Sequence, residues 1–268
     1  MTLRVFWSVL STEARKRMSY RVDFWLTAVV QFFAQLGVSY FIVAAVFAAA
    51  GGATVGGYAR REMLLYYVAV VLIGKIVRSS EMEHPIAMDI YEGGLSRYLL
   101  YPAPYAAFKY AQQLGALMPS LVQLALFGAW VPFVLGVPEG MSIASVAMCA
   151  GAVAVASLLQ FLLIRPIQAV AFWADNVWSL MVAYRFGGAM LGGVLLPLAL
   201  FPEWAQRVCG MLPFRFLFAF PVETLLGRVT PAQWGVGLLT ALGWCGVAAA
   251  AGHIVWRRGD LQYTGVGQ

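Results

Sequence analysis

Long, almost uncharged apolar runs fill most of this chain, and they limit its fold more than any other feature. About 20 such residues are what a helix needs to cross the hydrocarbon core of a bilayer. Inside lipid only helices or closed barrels satisfy every backbone donor and acceptor. Charged residues make up 11% of the 268 and hydrophobic residues 62%, too little charge to keep a water-soluble domain of this size dispersed. The runs fall at 24–47, 63–77, 106–135, 142–164, 177–200 and 233–256. They predict an all-α integral membrane protein with six transmembrane helices in one domain spanning 1–268. The second run is short, and its helix is expected to take in Tyr58 at one end and to continue past Lys75 at the other. Pro119 is expected to kink the third helix, and Arg165-Pro166 to end or kink the fourth.

The net charge of +6 and a pI near 9.4 are compatible with nucleic-acid binding. The basic residues, however, sit at the ends of apolar runs and form no binding stripe, so no nucleic-acid partner is expected. The excess of Lys and Arg on cytoplasmic loops explains them instead. Six crossings with a cytoplasmic N-terminus put Arg4, Arg15, Lys16, Arg17, Arg21, Lys75, Arg78, Arg97, Lys109, Arg165, Arg185, Arg257 and Arg258 inside. Arg60, Arg61, Arg207, Arg215 and Arg228 fall outside. Thirteen against five supports that orientation, although Arg60-Arg61 runs against the rule. Both termini are then cytoplasmic.

No cleavable signal peptide is visible at the N-terminus. Leu3, Phe6, Trp7, Leu10, Ala14 and Met18 instead share one face at helical spacing, with Arg4, Ser8, Ser11 and Arg15 opposite. Residues 1–22 therefore read as an amphipathic helix on the cytoplasmic leaflet, attracted by anionic membrane lipid, or as a basic flank that only fixes topology. The stretch 201–228 contains Pro202, Pro213 and Pro221 and cannot be one straight helix, yet it is rich in Phe and Leu. It reads as a re-entrant helical hairpin in the outer leaflet or as an apolar loop packed on the spans. Residues 78–104 form a polar cytoplasmic loop, and 257–268 a cytoplasmic tail.

Chemistry is sparse. Gly74-Lys75 lacks the rest of a phosphate-binding loop. No zinc-protease helix, nucleophile elbow or paired intramembrane carboxylates occur, so no catalytic or metal-binding residue is expected. His84 and His253 are isolated, and Cys149, Cys209 and Cys245 read as buried small hydrophobes. Gln31, Gln35 and Ser39 share one helix face, either bonding a neighbouring helix or lining a substrate route. Arg165, Asp175 and Arg185 map to the cytoplasmic ends of the fourth and fifth helices, where they either pair or snorkel.

Residues 89–102 read Asp-Ile-Tyr-Glu-Gly-Gly-Leu-Ser-Arg-Tyr-Leu-Leu-Tyr-Pro. This run resembles the segment after the second helix in permease subunits of ABC-2 type exporters. Further matches are Ala171-Phe172-Trp173, Pro197 with Phe201-Pro202-Glu203-Trp204, Leu212-Pro213-Phe214, Phe220-Pro221, Leu226-Gly227, and Trp256-Arg257-Arg258-Gly259 with Tyr263 and Gly265. Asp260 and Gln262 depart from the pattern. The resemblance is to small six-helix permeases, of the type V exporter kind, that lack a nucleotide-binding domain. It implies a bacterial inner-membrane subunit that binds no cofactor itself. A second permease, like or unlike, and cytoplasmic ATPase subunits carrying ATP and Mg²⁺ complete the assembly. It also implies a coupling helix in the first cytoplasmic loop, for which Asp89, Glu92, Gly93, Gly94, Leu95, Arg97 and Leu99 are the candidates. Glu92 and Arg97 would make polar contacts, the glycines a turn, and Leu95 and Leu99 an apolar seat. The cargo implied is amphipathic: a drug, lipid or glycan conjugate. The rival readings are a secondary, ion-coupled transporter, which lacks the intramembrane acids it needs, and a membrane-embedded lipid-modifying enzyme.

Overall fold

A computed structural model describes residues 2–18, 21–78, 85–98, 100–101, 103–138 and 140–263. Among these residues four helices are long and apolar enough to cross a membrane: Phe24–Ala50, Tyr105–Leu135, Ile143–Phe172 and Pro231–Asp260. They belong to α2 (Arg21–Ala50), α6 (Tyr105–Leu135), α7 (Ile143–Ala169, extended by a 3₁₀ turn) and α12 (Pro231–Asp260). Large apolar side chains stand on their outer faces, with Phe41 72% and Phe133 88% exposed. Such surfaces suit lipid and not water.

The second apolar run becomes α3 (Arg60–Val77), which is the centre of the packing and not one of the four. Its residues from Met63 to Val77 are nearly all buried between α2, α6 and α7. A two-residue hairpin, β1 (Thr54–Val55) with β2 (Tyr58–Ala59), returns the chain from α2 to α3, with Gly56 and Gly57 at positive φ in its turn. α7 and α12 pack closely through small residues, Ala152, Ala156, Ala241 and Ala248, which let the two backbones approach.

Two expectations from sequence are modified. α7 continues through Arg165-Pro166 to Ala169, so the fourth run does not end there. The fifth run does not form one helix. α8 (Trp178–Leu191) ends at Gly192-Gly193, and a 3₁₀ turn follows at Leu198–Leu200. Gly193 has φ +83°, and a Cβ there would come within 2.7 Å of the Tyr66 hydroxyl. The carbonyls freed by this break accept from α3, Tyr66 donating to Gly193 at 2.8 Å and Tyr67 to Leu195 at 3.0 Å. Unwound backbone in an apolar surrounding requires such partners.

The 201–228 segment folds as α9 (Glu203–Met211), α10 (Phe214–Leu217) and α11 (Ala219–Leu225). α9 lies at the surface with Trp204 and Met211 exposed, while α10 and α11 bury Phe216, Leu217, Phe220 and Val222 against α7 and α3.

α1 (Leu3–Met18) is helical as its pattern suggests, and it packs along α6. Leu10 and Ala14 are buried there, and Gly115 permits the contact, since a Cβ at that position would meet Glu13 at 2.9 Å. Leu3, Trp7 and Met18, from the same stripe, stay exposed. The three cysteines are free and buried.

Candidate functional site: a buried carboxylate under a short-helix loop

Two short helices, α4 (Pro85–Tyr91) and α5 (Leu95–Tyr98), connect α3 to α6. Gly93, at φ +68°, makes the turn between them, a conformation that glycine adopts without steric cost. Gly94 lies against the backbone of Asp89, closing the turn.

Both helices are held down by side chains from the long helices. Gln168, fully buried near the end of α7, accepts from the backbone N–H of Ile86 at 2.9 Å and of Ala87 at 3.3 Å. It thereby caps the first turn of α4, whose N–H groups have no partner within the helix. At the other end of α4, Tyr91 donates to the Ala174 carbonyl at 3.1 Å, and burial pushes its phenol above the ordinary tyrosine range. Below α4, Ile86, Ala87, Ile90 and Leu95 join a small core with Ile164, Phe172 and Met181.

Asp89 faces inward. It is 5% exposed, and its carboxylate receives three donors. Lys109 of α6 stands 2.6 Å from Oδ2, the Tyr105 hydroxyl donates to Oδ2 at 2.7 Å, and Arg97 donates to Oδ1 at 3.0 Å. Lys109 also donates to the Tyr98 hydroxyl at 3.1 Å. The side chains of Asp89 and Lys109 are each 7% exposed. Removing one member of such a pair strands a buried charge, at a cost of about 3–5 kcal/mol. Trp256 of α12 stacks on Tyr105 with ring centres 4.8 Å apart, and the Arg165 guanidinium lies 5.5 Å from the Trp256 ring centre. One contact network thus runs from the loop through α6 to α12 and α7.

The predicted coupling residues therefore divide. Asp89 and Leu95 are buried and anchor the loop. Gly93 and Gly94 form its turn. Glu92 and Arg97 are exposed, and Leu99 lies outside the described residues. Met88, Leu100 and Tyr101, which sequence reasoning did not single out, add exposed apolar area beside Glu92 and Arg97. Lys109, Tyr105 and Gln168 were also missed. A lysine one turn into an apolar helix calls for an acid at the same depth, so Lys109 could have pointed to Asp89.

The Gln31, Gln35, Ser39 stripe also divides. Gln31 and Gln35 are exposed on α2 and line a cavity of about 500 Å³ between α2, α3 and α6, with Lys75 and Arg78 on its wall. Ser39 is buried elsewhere, its hydroxyl without a hydrogen-bond partner. Arg165 stacks on Trp256 as described, Asp175 is exposed in the turn before α8, and Arg185 is exposed on α8.

The opposite end of the bundle carries a second polar group. Arg228 bonds Glu62 at 2.8 Å and the Gly57 carbonyl at 2.6 Å, with its guanidinium 3.6 Å from the Tyr58 ring centre. Burial pushes the Tyr58 phenol up to about 12. Arg61 donates to the Leu135 carbonyl at the C-terminus of α6, where a cation offsets the helix dipole. Arg215 pairs with Glu223 at 3.2 Å. The Leu135 carbonyl gives Arg61 a role beyond topology.

No curated protein and no solved structure matches this chain. Residues 33–267, however, match the family described as ABC-2 family transporter protein. Together with its apolar spanning helices, this match shows that the chain belongs to the ABC-2 transporter family, as a transmembrane permease.

Proposed function

We propose that the chain is the permease subunit of an ATP-driven ABC-2 exporter, energised by separate cytoplasmic ATPase subunits and working beside a second permease, like or unlike. The observation that carries this reading is the α4–α5 loop. It is short and pinned at both ends by Gln168, Tyr91 and Asp89, and it presents Met88, Glu92, Arg97, Leu100 and Tyr101 outward. A force applied to such a surface passes to α6 and α7 and is not absorbed by the loop. That is the mechanical requirement for linking ATPase closure to helix movement.

On this reading ATP and Mg²⁺ bind the partner, and this chain contributes no catalytic group. Six crossings follow if α3 and the α8-to-200 segment traverse the bilayer beside the four long helices. The Asp89 end is then cytoplasmic, in an inner membrane, and α9 rests on the outer surface with α10–α11 dipping beneath it. The purified chain is expected to hydrolyse no ATP and to co-purify with a cytoplasmic P-loop ATPase. Full transport by this chain without any ATPase would contradict the proposal.

A further inference from the structure

Lys75 is the least expected charge in the molecule. It lies in the last turn of α3, and its ammonium donates to the side-chain carbonyl of Gln123 on α6. Gln123 is fully buried, and its amide nitrogen donates in turn to the Phe24 carbonyl at 3.2 Å. The partner of Lys75 is therefore a neutral amide. Among the described residues, no carboxylate pairs with Lys75 and none lines the cavity that it enters. A half-buried cation without a counter-ion is costly where lipid replaces water, and an anion that arrives with a ligand removes the cost.

The rest of the cavity has two kinds of wall. Arg78, whose guanidinium sits 4.6 Å from the Phe218 ring centre, adds a second cation at the same end. Beyond the cations the lining is apolar, with Phe32, Val70, Val71 and Phe127 running toward the middle of α2 and α3. Gln31 and Gln35 place two amides along one side. Gln31, Ala34, Gln35 and Val38 are exposed, so the cavity opens along α2. Its volume of about 500 Å³ falls within the range of small-molecule sites. Positive charge at one end of an apolar, laterally open trough matches an amphiphile with an anionic headgroup.

We propose that this cavity binds an anionic lipid from the surrounding leaflet. Lys75 and Arg78 hold the phosphate, Gln31 and Gln35 hydrogen-bond the headgroup oxygens, and the apolar wall takes the upper part of an acyl chain. The site does not depend on the permease reading, because binding requires neither an ATPase nor transport.

The test uses the full chain, purified in neutral detergent, stripped of lipid and kept free of ATP. It is titrated with phosphatidylglycerol and with phosphatidylcholine of identical acyl chains, and bound lipid is counted by native mass spectrometry. The unaltered chain should prefer phosphatidylglycerol by about tenfold or more, the scale of one charge-assisted hydrogen-bonded contact. Lys75→Gln should abolish that preference, while Lys75→Arg and the surface control Arg207→Gln, on α9 and away from the cavity, should keep it. Ala34→Trp fills the opening without touching charge and should weaken both lipids, so the test survives a Lys75→Gln variant that fails to fold. Glycerol phosphate, which lacks acyl chains, should not displace the lipid. Equal affinity for the two lipids, an unchanged preference in Lys75→Gln, unchanged binding in Ala34→Trp, or displacement by glycerol phosphate would each overturn the proposal. Equal affinity would leave a second copy of this chain as the cover for the cavity.

Discussion

Asp89 and Glu62 sit at opposite ends of the helix bundle, and each accepts from an arginine that lies over a tyrosine ring. Arg97 lies 5.1 Å from the Tyr98 ring centre, and Arg228 3.6 Å from that of Tyr58. The chemical groups are the same, and the surroundings differ. The side chains of Asp89 and its second cation Lys109 are 7% exposed, whereas those of Glu62 and Arg228 are 42% and 30% exposed. Water and salt screen the Glu62 pair, so its contribution is small. The Asp89 carboxylate has exchanged water for three protein donors, and its loss leaves Lys109 without its buried counter-ion. One arrangement is a surface clasp and the other a fixed post, and burial makes the difference.

The sharpest way to break this contrast is to delete the two acids. Asp89→Ala should destabilise the detergent-solubilised protein by about 3–5 kcal/mol, read as a large drop in thermal unfolding temperature. Glu62→Ala should cost under about 1 kcal/mol. Adding Lys109→Met to Asp89→Asn should recover most of the loss, because a neutral pair strands no charge. Comparable losses for the two acids would refute the assigned roles.

Gln168→Leu comes next. It leaves two N–H groups of α4 without an acceptor and should cost about 1–3 kcal/mol, with faster hydrogen exchange at Ile86 and Ala87 as the direct readout. Unchanged exchange there would mean that α4 is held by its apolar face alone. Tyr66→Phe should cost about 1 kcal/mol by depriving the Gly193 carbonyl of its donor. The smallest effect belongs to Arg228→Gln, at under about 1 kcal/mol, fading as salt is raised. A salt-independent loss would show that the exposed pair behaves like the buried one.

Much of this architecture is written in the length and periodicity of the apolar runs. The stripe Leu3, Trp7, Leu10, Ala14 marks a helix, and the runs at 24–47, 106–135, 142–164 and 233–256 mark the four long ones. Periodicity says less about the run at 177–200, because an apolar stretch does not state where its backbone turns. The break at Gly192-Gly193 depends on hydroxyls more than a hundred residues away, on Tyr66 and Tyr67. The candidate site was legible as a segment and not as individual roles. An acid in a polar loop reads as a solvated contact, so Asp89 and Glu92 looked alike until their depths were known. Lys109 counted only as a topology charge, although its place inside an apolar helix already demanded a partner.

The central claim is that the exposed side of the α4–α5 loop, and not the opposite end, receives an ATPase subunit. Photo-crosslinking in intact cells tests it most directly, with a benzophenone amino acid placed singly at Glu92, Leu100 or Trp204. Adducts with a cytoplasmic P-loop ATPase should form from Glu92 and Leu100 and be absent from Trp204. No ATPase adduct from either loop position, or one from Trp204 alone, would contradict the account.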